Sequence, residues 1–177
     1  EIVGHASVVA DIKKRAKLKR WPSVFFLTGM TGTGKTTIVR ILEKYLTCEK
    51  PSKEGAPCEK CQYCVDINEQ AFSLAVKEFN ASNIGIDEMR RIEASTKRKS
   101  LTSPRVVYFI DELQELAGAG GSPKALKNIL TMLEREMPDV FFILGAMEDV
   151  KLPQAVKDRT ATYKLKPIPF EDVAHYL

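Results

Sequence analysis

Gly29-Met30-Thr31-Gly32-Thr33-Gly34-Lys35-Thr36 follows the apolar run Ser23–Thr28 and opens a segment with helical spacing. A strand, a glycine-rich bend, a lysine and a helix start, in that order, make a phosphate cradle. The glycines let the loop turn with its N–H groups inward, and the helix N-terminus favours anionic phosphate. Lys35 reaches the β and γ phosphates, and the Thr36 hydroxyl ligates Mg²⁺. A chance glycine-rich turn would supply the bend without the rest. Residues Gly29 to Thr36, with Thr37 beside them, are therefore expected to hold ATP.

Outward from the cradle, short runs rich in Val, Ile and Phe alternate with segments of helical periodicity, the pattern of a parallel sheet covered on both faces. The predicted strands are Ser23–Thr28, Leu74–Asn80, Val106–Ile110, Val140–Ala146 and Thr162–Leu165; the predicted helices are Thr36–Leu46, Asp87–Lys97 and Pro123–Arg135. Ser122-Pro123 supplies a cap followed by proline at the first helical position, after the small-residue loop Gly118–Ser122. The third strand ends in Asp111-Glu112. At the carboxyl end of a parallel strand beside the cradle, the aspartate would hold Mg²⁺ and the glutamate would orient and deprotonate water. An acidic helix cap is the plainer reading of such a pair.

Cys48, Cys58, Cys61 and Cys64 are the only cysteines, spaced as one cysteine, nine residues, then CxxCxxC. Four thiolates satisfy tetrahedral Zn²⁺ in a closed structural site, with an Fe–S cluster and free core thiols as the alternatives. Pro51, Gly55 and Pro57 suggest a helix-poor knuckle, inserted over residues 48–66.

Composition bounds the rest. In 177 residues, 44% hydrophobic, one core is expected, and no apolar run approaches the ~20 residues of a membrane span. A soluble, cytoplasmic protein with no membrane partner is the expectation. The net charge of +4, from 27 basic against 23 acidic residues, does not by itself announce nucleic acid. Basic residues cluster at Lys13, Lys14, Arg15, Lys17, Lys19 and Arg20, and again at Arg90, Arg91, Lys97, Arg98 and Lys99; solvated helix faces are the default reading. Neither His5 nor His175 has a ligand-spaced partner.

The order of features resembles the gamma/tau subunit of the bacterial DNA polymerase III clamp loader, an AAA+ ATPase family. The resemblance runs from Ile2-Val3-Gly4-His5 through the cradle, the cysteine insert, Phe79-Asn80-Ala81-Ser82-Asn83, Ile84–Arg90 and Asp111-Glu112. It continues over Ala125–Glu134, Phe141–Leu144, Lys151-Leu152-Pro153 and Asp158-Arg159-Thr160. It implies an AAA+ core with a five-stranded parallel sheet flanked by helices over residues 1–167, an inserted zinc-binding module at 48–66, and the start of a truncated lid domain at 168–177. It also implies a hetero-oligomeric ring of clamp-loader subunits that uses ATP to place a sliding clamp on primer-template DNA.

On the same resemblance Ile2 and Val3 lie against adenine, and Arg159 is an arginine finger for a neighbouring subunit, where the plain reading is a surface arginine. Asn80-Ala81-Ser82 also resembles the NAS of the similar eukaryotic and archaeal loaders, which implies that Asn80 is the switch that restrains the catalytic glutamate until DNA binds, where the plain reading is a polar strand cap. The resemblance further implies Arg90, Arg91, Lys97 and Arg98 as candidates for DNA phosphate contacts. The chain departs from the family at the sensor threonines, which correspond to Ala146 and Met147, at Asp158 and Thr160 around the arginine, and at Gln114 in the acidic box. These departures keep open a nucleotide-binding scaffold that does not hydrolyse. Another AAA+ machine such as a helicase loader would not need the cysteine insert, and a small-molecule kinase would need an acceptor pocket that is not identifiable.

Overall fold

A computed structural model describes residues 4–71, 73–97, 103–117, 121–147 and 150–167. Ile2, Val3, Arg98, Lys99 and residues 168–177 lie outside the described residues, as do positions 118–120 of the small-residue loop.

β1 (Val24–Thr28) is wholly buried, the expected state of a strand covered on both faces. It lies between β4 (Val140–Ala146) and β5 (Thr160–Lys164), while β3 (Val106–Asp111) joins β4 to the edge strand β2 (Val76–Asn80), giving the parallel order β2-β3-β4-β1-β5. Alternate residues feed two cores. Phe25, Leu27, Val107, Phe109 and Ile143 point to one, against Val8 and Ile12 of α1 (Ala6–Leu18) and Ile38, Leu42 and Leu46 of α2 (Lys35–Thr47). Phe26, Tyr108, Ile110, Phe142 and Leu144 point to the other, against Met89 and Ile92 of α4 (Ile86–Thr96) and Ile129 and Leu133 of α6 (Pro123–Leu133). Tyr108 and Phe142 stack with centroids 5.2 Å apart. Burying one such side chain contributes about 1.5–3 kcal/mol, so the two layers rather than any single contact hold the sheet.

Three short helices escape the periodic reading: α3 (Gln62–Asn68), α5 (Gln114–Ala117) and α7 (Gln154–Lys157). The last predicted strand is moved forward to Thr160–Lys164, since its half-exposed alternation of Thr and Lys hides its start. Ser122 accepts from Ala125 N at 3.3 Å and Pro123 occupies the first turn of α6, as the motif predicts. α1 is tied to β5 by Asp11, whose carboxylate accepts from Arg15 Nε at 2.7 Å and the Tyr163 hydroxyl at 2.8 Å. Lys13, Lys14 and Lys17 of α1 are exposed, a solvated face as read. Among the described residues no helix is long and apolar enough to cross a membrane.

Register places the site. Thr28 pairs with Ala146 and Asn80 with Asp111, so the carboxyl ends of β1, β4, β3 and β2 finish along one rim. The phosphate loop, Met147, Asp111 and Asn80 follow one another across it, at the end of the sheet where open α/β proteins bind ligands.

Candidate nucleotide site and cysteine cluster

The loop after β1 turns at Gly34, whose φ of 85° lies in the left-handed region and which caps α2. Thr33 is buried and its hydroxyl donates to the Met30 carbonyl at 2.8 Å, closing the loop on itself. The Lys35 ammonium donates to the carbonyl oxygens of Gly29 at 2.5 Å and Met30 at 3.0 Å, across the mouth of the loop. Thr36 and Thr37 are exposed on the first turn of α2. One cavity of about 370 Å³ is lined by Thr31, Gly32, Gly34, Lys35, Thr36 and Thr37 on one side and by Asp111, Glu112 and Met147 on the other. The motif and the acidic pair, 75 positions apart from Thr36 to Asp111, thus meet in one space.

β3 carries Asp111 to the rim, and Asp111 Oδ1 accepts from the Glu112 backbone N–H at 2.8 Å. Gly145 of β4 makes room for that carboxylate, which any side chain there would strike. Glu112 has a φ of 55°, uncommon for a non-glycine residue. Its Oε2 accepts from Asn80 Nδ2 at 2.6 Å. The other end of the Asn80 amide is fixed too, since Oδ1 accepts from the Ser82 N–H at 2.9 Å and its hydroxyl at 2.6 Å. Asn80 is therefore a strand cap and a partner of the glutamate at once.

Two further contacts were hidden in the sequence. His5, set aside there, has Nε2 2.8 Å from the Thr33 carbonyl, linking the start of α1 to the phosphate loop. Met147 closes the rim between the loop and Asp111: its backbone N–H donates to Gln114 Oε1 at 3.1 Å and its sulfur lies 3.9 Å from the Thr31 hydroxyl. The Met147 contacts depend on the register of β1 with β4, and the His5 contact on the packing of α1 against the sheet; no local motif encodes either.

Arg159 stands elsewhere. It directly precedes β5, whose first residue pairs with the first residue of β1, so it lies at the opposite end of the strands from the cradle. It donates to the Glu134 carbonyl at the end of α6 and lies 3.9 Å from the Glu136 carboxylate. Arg90 and Arg91 are exposed on α4 and pair along their own helix with Asp87 at 3.2 Å and Glu88 at 3.4 Å. Lys97 pairs likewise with Glu93 at 3.1 Å.

The four cysteines converge, with their sulfur atoms all within 4.8 Å of one another. Four thiolates about 2.3 Å from a tetrahedral ion stand about 3.8 Å apart, so the cluster fits a zinc-sized ion. The surroundings are less helix-poor than the prolines suggest: Cys61 caps α3 and Cys64 sits within it. The Cys58 N–H points at Cys48 Sγ at 3.3 Å and the Cys61 N–H at Cys58 Sγ at 3.2 Å. Backbone N–H groups of Lys60 and Cys61 bring the Cys58 thiol down to about 6, while burial pushes Cys48 and Cys64 up. A divalent cation reverses that resistance by favouring thiolate.

These elements define the class by fold. The chain superposes on the AAA domain of FIGL-1 in complex with ADP with a TM-score of 0.56 at 18% identity, covering 93% of this chain and 53% of that one. It superposes on a gamma subunit-related protein of DNA polymerase III from Thermotoga maritima with a TM-score of 0.55 at 15% identity, covering 92% and 47%. The chain belongs to the family described as DNA polymerase III, delta subunit, whose model matches residues 4–169. It is 32% identical to DNA polymerase III subunit gamma of Buchnera aphidicola across 100% of its own length and 47% of that protein, so it spans about half of that relative. The gamma/tau resemblance read from the motifs is thus supported over the whole chain, although the family description carries the delta name.

Proposed function

We propose that this chain is the ATP-binding core of a clamp-loader motor subunit, which works in the cytoplasm within a hetero-oligomeric ring and places a sliding clamp on primer-template DNA. The observation that carries the proposal is the convergence of Lys35, Thr36, Asp111 and Glu112 on one cavity. Residues 1–167 form the AAA+ domain, 48–66 its zinc-holding insert and 168–177 the beginning of a lid, with Ile2 and Val3 against adenine.

In this reading the N–H groups of Gly29 to Gly34 and the start of α2 receive the phosphates, and Lys35 leaves the loop carbonyls for phosphate oxygens. Thr36 and Asp111 hold Mg²⁺, which neutralises charge on the phosphates when bound. Glu112 orients water and takes its proton. While Asn80 holds Oε2 of Glu112, that oxygen is occupied, so DNA binding must loosen this bond before turnover is efficient. Arg159, unable to reach its own cradle, serves a neighbour's. Arg90, Arg91 and Lys97 meet DNA phosphates by exchanging their helix-internal partners, and Arg98 joins them in contacting phosphate. Cys48, Cys58, Cys61 and Cys64 hold zinc as a staple with no open position for catalysis.

A second reading, a scaffold that binds nucleotide without hydrolysing it, is favoured by one observation: Met147 offers no hydroxyl at the rim position facing Thr31. ATP turnover by the full-length protein in its assembly, with clamp and primed DNA, separates the two. The motor reading expects stimulated turnover that falls at least ~100-fold in Glu112→Gln with nucleotide affinity kept. Unstimulated background turnover in the wild type contradicts it.

A further inference from the structure

Glu43 occupies a core position. It follows Val39 by one turn on the buried stripe of α2 that includes Leu42 and Leu46, yet it is a carboxylate, 2% exposed. Its Oε1 is buried with no hydrogen-bond partner among the described residues. An unsatisfied buried acceptor is costly enough that it ordinarily has a partner. The residue borders a cleft of about 560 Å³ on the far half of α2, away from the phosphate loop, lined also by Arg40, Asp66, Ser73, Val76 and Glu78.

The charge in this cleft is lopsided. Glu43 from α2, Asp66 from α3 and Glu78 from β2 face Arg40 alone. Lys77 also borders the cleft, but its ammonium lies 5.2 Å from the ring centroid of Tyr108, which belongs to the core on the other face of the sheet. An anion is therefore disfavoured. A small metal ion is disfavoured as well, because among the described residues only the four cysteines gather three or more ligand atoms close enough to share one. Carboxylates spread over a wide cleft suit a guanidinium, a planar cation with several donors in a fixed fork.

The occupant's backbone is indicated by the neighbouring strand. β2 is the terminal strand of the sheet, and Glu78 is exposed on it; among the described residues no strand pairs with its outer edge. An extended segment added to such an edge gains main-chain hydrogen bonds and sends alternate side chains into adjoining pockets. We infer that the cleft between α2, α3 and β2 is a docking site for an arginine carried on an extended segment of a partner protein, with Glu43 as its buried counter-ion.

Burial, reinforced by the Glu78 charge and opposed by Arg40, raises the Glu43 carboxyl to about 7. A docked guanidinium requires the ionised form, so docking releases a proton and strengthens as the pH rises, by about tenfold between pH 6 and pH 8.

The test uses the full-length protein and the blocked tripeptide acetyl-Val-Arg-Val-amide, with affinity read by calorimetry and location by hydrogen exchange. Expected are saturable binding, slowed exchange over β2 and residues 62–73, the stated rise with pH, and at least ~10-fold weaker binding of the citrulline analogue, which keeps the shape and loses the charge. Glu43→Gln, nearly isosteric, should lose the same factor and the pH dependence; Glu78→Gln, on the exposed rim, provides a second variant whose folding is not in question. Equal affinity for the citrulline peptide, exchange changes confined to other regions, or unchanged binding in both variants overturns the proposal. Binding of spermidine as tightly as the peptide overturns the assignment to a protein segment.

Discussion

Asn80 and Glu112 are 32 positions apart and share a 2.6 Å hydrogen bond. Asn80→Ala frees the glutamate, so basal ATPase of the assembly should rise several-fold and stimulation by primed DNA should shrink; unchanged stimulation would count against restraint. At Glu43 the expectation concerns stability. Its carboxyl is raised from 4.5 to about 7 in the folded chain, so from about pH 4.5 upward the unfolded state sheds this proton first. Stability is therefore fully present below pH 4.5 and falls until about pH 7, by about 3 kcal/mol at most. Glu43→Gln should remove that decline, measured as urea midpoints at acid and alkaline pH. The site was partly legible in the sequence. Gly29 to Thr36 speak through local spacing, whereas Met147 meets Thr31 because β1 and β4 end side by side, and His5 meets Thr33 because α1 packs on the sheet.

At the scale of elements, α2, α4 and α6 were read to within two residues of their ends, while α1 was signalled by its basic cluster without bounds. β4 matches its expected bounds because Val140 to Ala146 is an unbroken apolar run, while α3, α5 and α7 are too short to show a period. The cysteine insert joins the end of α2 to α3, and Lys44 of α2 donates to Glu59 at 2.9 Å and Asn68 at 3.0 Å across it. Removing the metal should therefore loosen α2 itself. A strong chelator is expected to release zinc and lower the melting temperature, as Cys64→Ser should; iron, or no metal, in the purified protein would contradict this. On α4, neutralising Arg90, Arg91 and Lys97 together should weaken primer-template binding and flatten its salt dependence by about one unit of slope per lost phosphate contact. An unaltered salt slope would place the DNA elsewhere.

In the whole molecule, the two ends of the sheet divide the chemistry. The cradle and acidic pair occupy the carboxyl rim, and Arg159 sits beyond the start of β5, so in the proposed motor reading this arginine serves a neighbouring copy or a related subunit. Arg159→Ala should leave the protein's own nucleotide affinity within about twofold and reduce turnover of the assembly at least ~100-fold. Adding wild-type subunits to that variant should restore activity only at sites where a wild-type neighbour supplies the arginine. Low turnover by the isolated chain is expected in either case, and binding is the more direct test. Titration calorimetry of ATP with Mg²⁺ into folded full-length protein should give a saturable isotherm, with affinity lost at least ~100-fold in Lys35→Ala. Absence of nucleotide heat in the wild type, or undiminished affinity in the variant, would contradict the account.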